Sequence, residues 1–138
     1  MKYCSYCEKE KINKDFNKDN SSKDKLCCIC RHCQRIQHIE RTLKNKILVM
    51  SHYSNGKPEC ACCGIKELEF LSIDHINGNG NKHRSSIKTR SGWTFYLWLK
   101  KNGFPSGYQV LCHNCNQAKG NFGNCPHKGE TIYTKLNK

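Results

Sequence analysis

Leu111-Cys112-His113-Asn114-Cys115-Asn116-Gln117-Ala118-Lys119-Gly120 reads as a short strand end, a cysteine knuckle and the opening of a helix that runs through Phe122. Two cysteines three positions apart place two thiolates at one corner of a tetrahedron, the spacing of a zinc site. A matching pair, Cys60-x-x-Cys63, stands upstream, followed by the permissive Gly64. Four cysteines close the coordination sphere of a zinc ion, so this centre is expected to be structural. It pins the start of the 113–122 helix near an earlier strand, read over Leu68–Ile73 with Leu68, Phe70 and Ser72 on one face.

A second set lies at the N-terminus, Cys4-x-x-Cys7 and Cys30-x-x-Cys33. Cys27-x-x-Cys30 is also a legal pair. Cys30 and Cys33 are favoured, because a helix can then start directly after the site. The chain needs such staples. Leu, Ile, Val and Phe make up fewer than one residue in five, and the formal net charge is +13. That composition borders on the disordered class unless something other than apolar burial closes the fold. Met1-Lys2-Tyr3-Cys4 leads straight into polar sequence, with no signal peptide and no apolar run long enough to span a membrane. The expected compartment is reducing, a cytoplasm, where cysteines ligate metals rather than form disulfides. Two Cys4 zinc centres lower the charge to about +9, and a chain this basic commonly meets a polyanion.

The expected organisation is a zinc lobe over residues 1–33, a linking helix and linker over 34–58, a core over 59–123 and a tail over 124–138. The helix carries Ile36, Ile39, Leu43, Ile47 and Met50 as one apolar stripe, available to pack the lobes or to face a second copy. Within the core, residues 76–88 read as a Gly- and Asn-rich loop. Residues 93–101 read as a helix stopped by Gly103 and Pro105, and residues 108–111 as a second strand. Trp93, Tyr96, Leu97 and Leu99 are read as packing residues.

Asp74-His75-Ile76-Asn77-Gly78 lies between the two zinc pairs of the core, and Asn116 and Lys119 follow the last cysteine. Together these motifs, over about residues 60–122, resemble the zinc-containing HNH (His-Me finger) endonucleases, in particular the recombination endonuclease VII group and small phage and restriction nucleases. The resemblance implies an α+β, zinc-stapled fold with a ββα-metal core and an N-terminal zinc-knuckle lobe. It also implies an endonuclease that hydrolyses DNA, in a bacterial or phage-infected cell. Asp74 and Asn116 then hold one catalytic Mg²⁺ or Mn²⁺, and His75 is the general base, a role that its near-neutral pKa suits. DNA is favoured over RNA by the resemblance alone, which is also compatible with a homodimer making two cuts.

Phosphate contacts are expected from His83 and Arg84 in the basic stretch Lys82–Arg90, and from Lys119, one helical turn after Asn116. Lys9, Lys11, Lys14, Lys23, Lys25 and Arg31 make the first lobe a candidate phosphate clamp. The resemblance departs at one place. Many HNH proteins carry a histidine-orienting Asn shortly before the third zinc cysteine; this chain has none there, and Gln109 or a backbone carbonyl is left to take that role. Cys62 is read as a bystander in the knuckle, and Cys125 and His127 as too few ligands for a site of their own. The rival reading is a non-catalytic zinc module that binds DNA or RNA, which has no need of the Asp74, His75 and Asn116 trio.

Overall fold

A computed structural model describes residues 1–89, 91–130 and 135–136. Arg90 of the basic stretch lies outside them. The described residues form a small α+β structure of three two-stranded antiparallel sheets and four α-helices. It divides into two compact units, Met1–Lys44 and Asn45–Lys138. No helix among the described residues is long and apolar enough to cross a membrane.

In the first unit, β1 (Lys2–Cys4) pairs with β2 (Lys9–Lys11), and β3 (Phe16–Lys18) with β4 (Leu26–Cys30). The core is Cys4, Phe16, Cys30 and Cys33, with Cys7, Leu26 and Ile29 against it. Thiols make up most of that core, too little apolar surface to hold a fold without a cross-link. Between β1 and β2 the chain turns over Cys4–Cys7. The Glu8 amide donates to the Cys4 carbonyl at 2.9 Å, with Glu8 at φ 55°. In the second unit the same turn recurs, with the Gly64 amide 2.9 Å from the Cys60 carbonyl and Gly64 at φ 76°. A left-handed backbone is free for glycine but costs a glutamate roughly 1–2 kcal/mol.

Helix α1 (Arg31–Tyr53) starts immediately after Cys30, a turn earlier than the sequence suggests, so that Cys33 sits in its first turn. The anticipated stripe is mostly not buried. Val49 and Met50 join the second unit's core, but Ile39, Leu43 and Ile47 stay 45, 43 and 46 % exposed.

The second unit is built on β5 (Leu71–His75) and β6 (Tyr108–Cys112), in register from Leu71 opposite Cys112 to His75 opposite Tyr108. The expected strand over Leu68–Ile73 is displaced. Leu68–Phe70 is a 3₁₀ turn, Phe70 is 55 % exposed, and Leu71 and Ile73 face the core. With a side-chain period of two, a one-residue shift exchanges the faces, which is why the anticipated face is the wrong one.

Helix α2 (Gly80–Ser86) replaces the anticipated loop. Gly78 at φ 75° and Asn79 at φ 65° reverse the chain after β5, and the Gly78 amide closes onto the His75 carbonyl at 3.0 Å. The inward side of this segment is Gly80, His83, Arg84 and Ile87, all partly buried at helical spacing. Three of the four are not hydrophobic, so no apolar periodicity marks it.

Helix α3 (Gly92–Lys101) opens on a Ser91–Thr94 capping box and buries Phe95, Tyr96 and Leu99. Phe95 takes the place expected for Leu97, which is 39 % exposed. Helix α4 (His113–Phe122) follows β6 without a break and ends on Gly123 at φ 76°. Cys125, beyond it, is 5 % exposed and belongs to the core, so residues 124–128 are not a free tail.

Candidate functional site

The four Sγ atoms of Cys4, Cys7, Cys30 and Cys33 lie within 4.8 Å of one another, as do those of Cys60, Cys63, Cys112 and Cys115. None of the cysteines is in a disulfide. Cys63 Sγ and Cys112 Sγ are 3.7 Å apart. Four sulfurs about 2.3 Å from one ion stand about 3.8 Å apart, so the donor set fits zinc. Both Cys4 groups are thus compatible with structural zinc. Backbone amides already point at the sulfurs, Cys30 N at Cys4 Sγ (3.3 Å) and Cys115 N at Cys112 Sγ (3.4 Å). The two centres share one local plan, since each has a strand that ends on a ligand and a helix that carries the next in its first turn. Cys27 stands apart from the first group, with Sγ 3.9 Å from the Lys18 carbonyl.

A cleft of about 260 Å³ lies along β5, α2 and α4, lined by Asp74, His75, Gly80, Arg84, Asn116 and their neighbours. The sheet brings Asp74 and His75 to it, and the knuckle at the head of α4 brings Asn116. Helix α4 runs beside β5. Asn116 Nδ2 donates to Ser72 Oγ at 3.3 Å, and Lys119 Nζ reaches Asp74 Oδ2 at 2.6 Å and the His75 carbonyl at 2.7 Å.

His75 sits in an aromatic cage. Phe95 stacks on its ring at 5.5 Å and 19°, and Tyr108 meets it edge-on at 4.8 Å. Its Nε2 is 3.0 Å from His83 Nδ1, which the Tyr108 hydroxyl also approaches at 3.4 Å. On the other side of the ring, a Cβ at Gly80 would stand 2.9 Å from His75 Nδ1, so only glycine leaves that nitrogen open. Burial pushes the His75 pKa below its ordinary value. The charges of His83, Arg84 and Lys119 act the same way, and Asp74 opposes them.

Several expected residues come together differently from the sequence reading. His83 contacts His75 rather than facing solvent as part of a basic loop, a pairing hidden by the reversal at Gly78–Asn79. Gln109 donates to Asp74 Oδ2 at 2.8 Å, so the residue considered for orienting His75 orients the carboxylate instead. Lys119 forms an ion pair with Asp74 where a phosphate contact was expected. Arg84 lines the cleft with its guanidinium 5.7 Å above the Phe95 ring and its buried Nε without a partner. In the first unit a groove of about 520 Å³ is lined by Tyr6, Lys9, Lys11, Arg31 and three of the clustered cysteines, Cys7, Cys30 and Cys33. Arg31 is less available than expected, because it donates to the carbonyls of Lys14 and Phe16.

In comparisons with family models, curated proteins and solved structures, nothing matches this chain.

Proposed function

We propose that the chain is a metal-dependent endonuclease of the HNH type, hydrolysing DNA phosphodiesters, with two structural zinc centres. The observation that carries this reading is the meeting of Asp74, His75 and Asn116, distant in sequence, in one cleft with Arg84.

His75 is the general base. With its proton on Nε2, shared with His83 Nδ1, the lone pair lies on Nδ1 beside Gly80. Nδ1 takes the proton of a water that attacks phosphorus, and the bond to the leaving sugar oxygen breaks as that oxygen takes a proton from solvent water. A lowered pKa keeps the ring neutral and ready to accept that proton near pH 7.

Asp74 and Asn116 would hold a Mg²⁺ or Mn²⁺ ion. The fit is chemical: a carboxylate offers about four lone-pair positions, and Lys119 and Gln109 both contact Oδ2. The Asn116 amide nitrogen faces Ser72, so its carbonyl oxygen remains the ligand. When bound, such a cation neutralises phosphate charge and eases departure of the leaving oxygen. Arg84 supplies further positive charge to the phosphate.

One observation favours the rival DNA- or RNA-binding module. Lys119 already neutralises Asp74 without any metal. Supercoiled plasmid with Mg²⁺ or Mn²⁺, beside His75→Ala, separates the two. Metal-dependent nicking lost in the folded variant supports the nuclease. Salt-sensitive binding without cleavage of plasmid, branched DNA or RNA overturns it.

A further inference from the structure

Four residues outside the first Cys4 group and outside the cleft converge on one point. Cys62 Sγ, Cys115 Sγ, Cys125 Sγ and a ring nitrogen of His127 lie within 4.8 Å of one another. They come from three separate segments. Cys62 is in the knuckle turn, between two zinc ligands. Cys115 is in the first turn of α4. Cys125 and His127 follow the left-handed cap at Gly123, which turns the chain back onto the knuckle. The sequence shows only Cys125-Pro126-His127 here, two ligands on an apparent tail. The other two become visible only when the chain folds.

The distances match metal ligation. A sulfur about 2.3 Å and a nitrogen about 2.0–2.1 Å from one tetrahedral ion stand about 3.6 Å apart. His127 Nδ1 is 3.6 Å from Cys115 Sγ and 3.2 Å from Cys125 Sγ. Cys125 is 5 % exposed, deep for a thiol that is in no disulfide.

Cys115 belongs to both this group and the second Cys4 group. We propose that Cys60, Cys62, Cys63, Cys112, Cys115, Cys125 and His127 bind two zinc ions, with the Cys115 thiolate bridging them. Each ion then has four protein ligands and no open position, the mark of a structural centre. Six thiolates against two Zn²⁺ leave the cluster at −2, the same charge as the Cys4 centre alone. The added ion therefore enters at no cost in net charge, and it fastens residues 124–128 to the knuckle. The proposal extends the second zinc centre and does not depend on nuclease activity.

Native mass spectrometry of the full chain, purified with zinc, counts the ions directly. Three zincs per chain are expected, falling to two in Cys125→Ser and in His127→Ala. Two zincs in the wild type, or a count unchanged by both substitutions, overturns the proposal. The wild-type count stands even if a variant unfolds. Loading with ¹¹³Cd tests the bridge. Two of the three resonances should be split by coupling through the shared sulfur, and three unsplit lines would overturn the shared thiolate. The resonance of the Cys4–Cys33 centre serves as the internal control for folding. Loss of plasmid nicking leaves every one of these readings unchanged, so the two proposals fail separately.

Discussion

His75 Nε2 and His83 Nδ1 are 3.0 Å apart, across a chain reversal made by two residues in the left-handed region. The contact occupies Nε2 and leaves Nδ1 on the Gly80 side of the ring. His83→Phe keeps an aromatic ring among Phe95, Trp98 and Tyr108 but removes the partner. A net hydrogen bond of about 0.5–1.5 kcal/mol predicts roughly a two- to thirteen-fold slower nicking rate, with DNA binding unchanged. Single-turnover nicking and a binding titration measure the two quantities.

His75→Ala removes the proposed base. General-base catalysis contributes about 10²- to 10⁴-fold, and the rate should fall by that much. Neither Cys4 group includes His75, so zinc content and the circular dichroism spectrum should match wild type. Both belong beside the nicking assay.

Gly80→Ala separates stability from function. The change favours the helix by propensity, but the added Cβ stands 2.9 Å from His75 Nδ1. The expected outcome is a melting temperature no lower than about 2 °C below wild type together with slowed nicking. Equal nicking would show that Nδ1 is not the working atom.

Lys119 and the proposed catalytic cation compete for Asp74. Lys119→Met removes an ammonium 2.6 Å from Oδ2. At about 1 kcal/mol for a partly exposed pair, the Mn²⁺ concentration for half-maximal nicking should fall roughly five-fold. A metal titration of the nicking rate reads this.

Zinc removal should unfold the first unit outright. Its buried core is three thiols and Phe16, whereas a structural zinc contributes about 10–16 kcal/mol in small zinc-dependent folds. Cys4→Ser is expected to melt residues 1–44 while amide signals of the β5–β6 sheet persist, as seen by NMR. Persistence of both would show that apolar burial suffices.

Much of this architecture was legible where chemistry is local. The Cys-x-x-Cys pairs and the knuckle-to-helix step at Cys112–His113 follow from ligand spacing. Helix α3 was legible as an aromatic segment over residues 93–101 stopped by Gly103 and Pro105, and it spans Gly92–Lys101. Three features were hidden. Helix α2 presents glycine, histidine and arginine inward, which no hydrophobic pattern marks. The start of β5 moved three residues, because Leu68–Phe70 takes a 3₁₀ turn whose residues look like strand. The group at Cys62, Cys115, Cys125 and His127 uses one cysteine twice, so pairing cysteines by spacing cannot find it. Asp74, His75 and Asn116 line one cleft. The engagement of Asp74 by Lys119 and Gln109 was not legible, since those contacts depend on the β5–β6 register and the helix beside it.

The way α4 runs alongside β5 also sets what insertions the chain can absorb. Asn116 reaches Ser72 and Lys119 reaches Asp74 only because Cys112 and Cys115 fix the helix's rotational phase. One residue added between Cys115 and Lys119 would turn the lysine by about 100°, off the face that meets the strand. The loop between α3 and β6, residues 102–107, is held at single points instead, with the Tyr53 hydroxyl donating to the Pro105 carbonyl at 2.8 Å, the Ile76 amide to the Gly107 carbonyl at 3.0 Å and Phe104 stacked on His52 at 4.4 Å. Insertions are therefore excluded from the first two turns of α4.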